Sequence, residues 1–346
     1  METLKNIFIK LGSMDRRIIF LLVGLSVLFP LLKPDWFTLP IRPKQHSQIV
    51  FDEINKLEAG SKVLLSFEYG PSTKPEIHPM AIALLRHMFV KDIKVYATAL
   101  WPDGIFMSTD AFSQLSDEYN IVYDKDYINL GFKPGGEPVI KGIASNIREM
   151  YTSDMEGTHI DSLEMMKNVH NIKDFDLVIS LSAGDPGSKQ WVQFATDPKN
   201  IRFTTGCTSI QVTDIVPYVE NEQIKGILAG MPGAAEYENL IEKELKKLGA
   251  FWEPGRASSM MSAQSLAHVV IVLFIIFGNV PMQKAPSIKL MGLNLQKYLI
   301  KNKIHPNHRM FMIKDSIPGS AGRINGIAII VITNVFDNPL PSVRRL

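Results

Sequence analysis

Between residues 50 and 250, short β-rich runs alternate with helical stretches, and this alternation constrains the fold more than any other feature of the chain. An apolar run followed by an amphipathic helix is the sequence form of a parallel strand and its crossover, because parallel neighbours can be joined only by a long connection. "KVLLSFEYG" (62–70) precedes "PEIHPMAIALLRHMF" (75–89), where Ile77, Met80, Ala81, Leu84, Leu85 and Met88 recur at helical spacing. "DIKVYATALWP" (92–102) precedes "STDAFSQLSDEYN" (108–120), with Ser108 or Thr109 able to cap the helix. Within 126–151 a third run leads through a glycine turn into a helix, and 152–173 reads as a long connection. The pattern resumes with "DLVISLSAG" (176–184), "IRFTTGC" (201–207) and "GILAGMPGAAEYENLIEKELKKLG" (226–249). About six units are visible where a barrel would need eight. The expectation is an α/β, Rossmann-like three-layer domain with a mainly parallel sheet over residues 45–252.

Two apolar concentrations flank this domain. "RRIIFLLVGLSVLFPLL" begins a segment at 16–36 read as a transmembrane anchor, preceded by a short basic segment at 1–15. Its uninterrupted apolar part, about 15 residues, is somewhat short of the roughly 20 that cross a bilayer. A cleaved signal peptide and a buried core helix are the rival readings, and the exit "FPLLKPDWF" lacks the small-x-small pattern of a cleavage site. The second run centres on Val269–Phe277 and is read as a transmembrane helix over 260–282, with a buried strand or core helix as the alternative. Lys5, Lys10, Arg16 and Arg17 precede the first run, and Lys284, Lys289, Lys297 and Lys301 follow the second. By the positive-inside rule both termini are expected in the cytoplasm and the α/β domain outside it, although Lys33, Arg42 and Lys44 weaken the bias. Residues 283–346 form a basic tail whose apolar stretch "GIAIIVITNVF" is too short for a third span.

With a net charge of only +2 and its signs mixed, the chain offers no sustained basic surface for a phosphate backbone, which argues against nucleic acid as a partner. A single cysteine, Cys207, excludes an intrachain disulfide and any zinc site of several thiolates.

Parallel sheets gather their strand-to-helix loops at one edge, where ligands bind. The loops expected there supply Gly70, Gly135, Gly136, Gly184, Gly187, Gly206, Thr208, Gly230 and Gly233 as candidate ligand contacts. Glycine allows close backbone approach, and the following helix offers unpaired N–H groups to a small anion. The structural alternative is that such turns need glycine simply to reverse the chain. No loop completes a P-loop or a dinucleotide fingerprint, so no cofactor is named. In "GMPGAAE" the glycines are assigned first to turning, and Glu236 to the first turn of the helix, where it would favour the dipole.

Cys207 just after a strand is a candidate nucleophile, and Glu68, Asp103 and Asp185 are candidate acid–base groups. His78, His87, His159 or His170 would have to supply a partner for the cysteine through the fold. A buried apolar cysteine and helix-capping or solvated carboxylates are the plainer readings, and no metal-ligand motif is formed. Two anchors, an α/β pattern and no complete catalytic signature lead to the expectation of a membrane-anchored ligand-binding or interaction domain. Its partners would be the lipid bilayer, a small anionic ligand, and a membrane protein or second copy. A membrane-bound hydrolase or transferase and a structural membrane subunit are the alternatives.

Overall fold

The computed structural model describes residues 15–33, 36, 41–249 and 255–279, and two short strands beyond them, Phe311–Ile313 and Ala328–Ile330. Six strands form one sheet: β1 (Lys62–Glu68), β2 (Lys94–Ala99), β3 (Tyr127–Phe132), β4 (Leu177–Ser182), β5 (Phe203–Cys207) and β6 (Ile227–Ala229). Their order is β3-β2-β1-β4-β5-β6 and every neighbouring pair is parallel. This is the doubly wound arrangement, in which the winding reverses between β1 and β4.

Helices in chain order are α1 (Arg16–Leu32), α2 (Gln45–Asn55), α3 (Lys74–Val90), α4 (Gly104–Tyr119), α5 (Glu137–Ser145), α6 (Ile147–Met150), α7 (Ser188–Trp191), α8 (Asp197–Lys199), α9 (Val212–Glu220), α10 (Gly230–Leu248) and α11 (Arg256–Asn279). Because side chains alternate along a strand, each strand feeds two cores. Val63, Leu65, Phe67, Ala97 and Leu181 pack under α2, α3, α4 and α10. Leu64, Tyr96, Ile128, Val178 and Phe203 pack on the other face under α5, α7 and α9. The connection between α6 and β4 closes that second face with Ile160, Leu163, Met166 and Phe175, and holds two short 3₁₀ turns at Ile160–Ser162 and Ile172–Asp174. Burying each such aliphatic or aromatic side chain contributes about 1.5–3 kcal/mol, so strands that are apolar on both faces have no stable position but the middle layer.

Three local features differ from the sequence expectation. The helix after β2 begins at Gly104, and Ser108 lies inside it with its hydroxyl on the Ile105 carbonyl rather than at a cap. Gly104 starts the helix in very close contact with β1: a Cβ there would lie 2.2 Å from the Phe67 carbonyl oxygen. Helix α2 precedes the first strand although Lys44 at its N-cap provides no side-chain cap. The cap comes instead from Glu236 of α10, which accepts the Lys44 N–H at 3.1 Å and the Ser47 hydroxyl at 2.7 Å. Glu236 is therefore in the second turn of α10, which begins at Gly230, and serves another helix's N-terminus rather than its own.

Helices α1 and α11 pack against each other. Among the described residues one helix is long and apolar enough to cross a membrane: Arg256–Ile276 in α11, with mean hydropathy 1.9 and few of its residues buried. It starts four residues before the span expected at 260–282. Helix α1 has 17 residues, with Phe20, Leu21 and Leu32 exposed. The tail beyond Met282 forms a separate unit, of which only an antiparallel pairing of β7 (Phe311–Ile313) with β8 (Ala328–Ile330) is described; the rest of 283–346 lies outside the described residues.

Candidate functional site

At the C-terminal half of the sheet the second face turns polar. Thr98, Ser66, Ser180 and Thr205 occupy directly paired positions on β2, β1, β4 and β5, forming a row of buried hydroxyls across four strands. One step on, Glu68, Ser182 and Cys207 form a second row. Glu68 is the centre of this network. Its carboxylate accepts hydrogen bonds from the Ser66 hydroxyl, from Ser180 Oγ at 2.8 Å and from Trp191 Nε1 of α7 at 3.0 Å. The Thr205 hydroxyl donates to the Ser180 carbonyl at 2.8 Å and Ser188 Oγ lies 2.6 Å from it, while Thr98 pairs with the Tyr151 hydroxyl at 2.5 Å. Complete burial pushes the Glu68 carboxyl up to about 7, against the lowering effect of its three donors.

The strand-end loops pack closely on one another. Gly70 lies under the Asp103 carboxylate, Gly184 against the Trp101 ring, and Gly136 against Pro186, whose carbonyl accepts Trp101 Nε1 at 2.9 Å. Gly187 abuts Ser182, Gly206 abuts Met80 and Leu181, and Gly135 abuts Val139. Gly233 meets the backbone of Leu228, and Gly230, at a φ of +59°, meets Ser209 and Glu76. Thr208 is buried with its N–H on the Ser182 carbonyl. A Cβ at any of these glycines except Gly136 would come within 3.0 Å of another atom, and Gly136 adopts a φ of +55°, where glycine is favoured.

The four candidate catalytic groups occupy distinct surroundings. Cys207 shares the face of Glu68 with Ser182 between them, is fully buried, and has its thiol pushed up to about 12 by burial and by the Glu76 charge. Asp103 precedes α4 and makes no side-chain cap bond. Asp185 is exposed in the loop after β4, 3.4 Å from Lys189 Nζ. Of the histidines considered as partners, His87 is buried in a separate contact between Tyr237 and Asn55.

A different place gathers more polar groups around open space. A cavity of about 180 Å³ lies where α3, α4 and α10 meet the start of α11, lined by His78, Arg86, Gln114, Glu238 and Arg256 over an apolar bed that includes Leu115. Tyr69 OH lies 2.9 Å from His78 Nδ1, and His78 Nε2 lies 2.9 Å from Asp110 Oδ2. A neutral ring that accepts from the tyrosine and donates to the aspartate satisfies both contacts. Burial holds the His78 pKa well below the usual imidazole range, against the pull of Asp110, and the Lys74 and Arg256 charges act with burial. Arg86 Nε and Nη2 both donate to Glu118 Oε2, at 3.1 and 2.8 Å. Glu238 accepts the Ala257 N–H at 3.0 Å, the Ser258 N–H at 2.9 Å and the Ser258 hydroxyl at 3.0 Å, so it caps α11. Burial raises its pKa, and these three donors oppose the rise.

His78 was visible in the sequence as a histidine near a turn, but Arg86, Gln114, Glu238 and Arg256 carry no motif. They lie on three helices and at the start of a fourth element in the chain, and the packing of α3, α4, α10 and α11 brings them together. Among the described residues no group of three or more His, Cys, Asp or Glu side chains is arranged to hold a metal ion.

No family model matches the chain, and no curated protein matches it. Among solved structures it is similar to a trehalose-6-phosphate synthase, OtsA, at 9% identity and a TM-score of 0.27, over 71% of this chain and 47% of that one. The chain thus spans less than half the length of that protein, and a likeness at this level carries no argument about function.

Proposed function

We propose that the protein is a membrane-anchored α/β domain, held outside the cytoplasm, that binds a small polar ligand in the cavity at the root of α11. The observation that carries this reading is the cavity's position. One of its walls is Glu238, the residue that caps the helix able to cross a membrane, so ligand and anchor share a side chain. An apolar bed with a few convergent polar groups is the usual form of a small-molecule site. Occupancy would bear on the hydrogen bonds that fix α11 to the domain, which suits a receptor or a subunit of a membrane assembly. A second copy or another membrane protein would pack against α1 and α11 within the bilayer.

A hydrolase or transferase reading has Glu68 as its best group, since a carboxyl lifted toward neutrality suits acid–base work. Its enclosure by Ser66, Ser180 and Trp191, together with the high thiol pKa of Cys207, gives that reading less support.

Two experiments test the proposal. Right-side-out and inverted membrane vesicles carrying a protease site near residue 160 report the topology, and cleavage only in inverted vesicles would overturn an external domain. A thermal-shift library against the full chain in mild detergent reports binding. Stabilising ligands should lose their effect in Leu115→Trp, which fills the cavity; ligands that bind this variant equally well would place binding elsewhere.

A further inference from the structure

The charges around the α11 cavity are already matched, with one exception. Arg86 is held by Glu118. Asp110, beside the cavity, takes Lys74 Nζ at 2.8 Å, His78 Nε2 at 2.9 Å and Gln114 Nε2 at 2.9 Å. Glu238 is engaged by the first turn of α11 through three donors, and the positive end of that helix offsets its charge. Arg256 alone among the polar lining side chains makes no hydrogen bond or ion pair within the described residues, and it is exposed at the cavity's edge. The space beside it, about 180 Å³, far exceeds the roughly 10–15 Å³ that one water requires.

We propose that this cavity takes a phosphate-bearing anion, with Arg256 as its cationic partner and Pro79, Ile82 and Leu115 as the bed for its apolar part; this rests on the ligand-binding reading above. A cationic ligand would have to compete with the donors already on Asp110 Oδ2 and on Glu238, and an apolar one would strip water from a guanidinium without replacing its hydrogen bonds. An anion with a short apolar body satisfies both walls. A guanidinium also matches phosphate geometry through paired N–H donors. Arg256 is the first residue of the helix that can span a bilayer, so the same phosphate chemistry is presented either by a lipid headgroup or by a soluble phosphate ester.

The test uses the full chain in non-ionic detergent, titrated by calorimetry with inorganic phosphate, with glycerol 3-phosphate and with dihexanoyl phosphatidate. At least one phosphate probe should bind saturably. Arg256→Gln, at an exposed position that folding tolerates, should weaken it about tenfold or more, as expected for loss of a charge-assisted contact. Leu115→Trp should abolish it. Binding of phosphatidate alone would assign the site to a lipid headgroup, and binding of the soluble probes as well would assign it to a free phosphate ester. If no phosphate probe saturates, or Arg256→Gln binds as well as the parent, the anion proposal is overturned. Neutral ligands that still stabilise the parent but not Leu115→Trp would leave the ligand-binding reading standing. If no ligand of any class responds to Leu115→Trp, both fail.

Discussion

Glu238 and Ser258 are joined twice, through the serine's backbone N–H at 2.9 Å and through its hydroxyl at 3.0 Å, so the helix that can cross a membrane is tied to the α/β domain by one buried carboxylate. Glu236, two residues earlier in α10, does the same for α2 through Lys44 and Ser47. One helix thus supplies the N-terminal caps of two others, the one that follows it in the chain and one almost two hundred residues before it.

Removing the cap on α11 should loosen that helix's attachment to the domain. Glu238→Ala leaves the Ala257 and Ser258 donors without their partner, and a loss of about 1–3 kcal/mol is expected. Ser258→Ala removes only the hydroxyl contact and should cost less. Thermal unfolding of both variants in the same detergent checks the order.

Glu68 makes stability depend on pH with a definite sign. Its folded-state pKa, about 7, lies above the ordinary value of 4.5, so the folded protein binds more protons than the unfolded chain between these values. The stabilisation is full below about 4.5 and is lost as pH rises through about 7, a change of up to about 3 kcal/mol. Glu68→Gln can accept from Trp191 and donate to Ser180 but has no proton to exchange. The difference in denaturation midpoint between parent and variant should therefore shift between pH 4.5 and 8; a constant difference would contradict the assignment.

Cys207 should be inert in the native protein. Burial and a pKa near 12 keep the thiol protonated and shielded from solvent. Thiol reagents should label it only on unfolding, at a rate that follows denaturant concentration. Rapid native labelling would restore the nucleophile reading.

Gly104→Ala places a methyl group 2.2 Å from the Phe67 carbonyl oxygen and 2.6 Å from Ala99 Cβ. Since a backbone atom cannot yield as a side chain can, the expected loss is at least about 1–3 kcal/mol. Gly60→Ala is a useful contrast: it has open space but a φ of +83°, so its cost is conformational and should be smaller, about 1–2 kcal/mol. Denaturation midpoints of the two variants make the comparison.

The sheet was legible because its strands are buried on both faces, which concentrates residues such as Val63, Leu64 and Leu65 into runs bounded by turns. Helix α2 was not, because "QHSQIVFDEIN" carries a modest apolar stripe and its cap is supplied by Glu236 across the fold. The start of α11 was missed for the same reason, since Arg256–Ser259 gains its helical form where Glu238 meets it. Spacing along the chain also could not bring His78, Asp110 and Arg256 into one neighbourhood, which requires α3, α4 and α11 to be packed. Glu68 was legible as a carboxyl at a strand end, but its enclosure depends on Ser180 and Trp191, over a hundred residues away.

The hydroxyl row from Thr98 through Ser66 and Ser180 to Thr205 has a consequence for strand alignment. In a sheet that is apolar on both faces, sliding a strand by two residues keeps its greasy side chains inward, so oil-like burial alone discriminates poorly among such alignments. Here a two-residue slip of β4 would set Val178 or Ser182 opposite Ser66 and withdraw Ser180 from Glu68, leaving a sealed carboxylate short of a donor. The row works as a set of index pins, giving the four central strands one alignment in which every pin finds its hole.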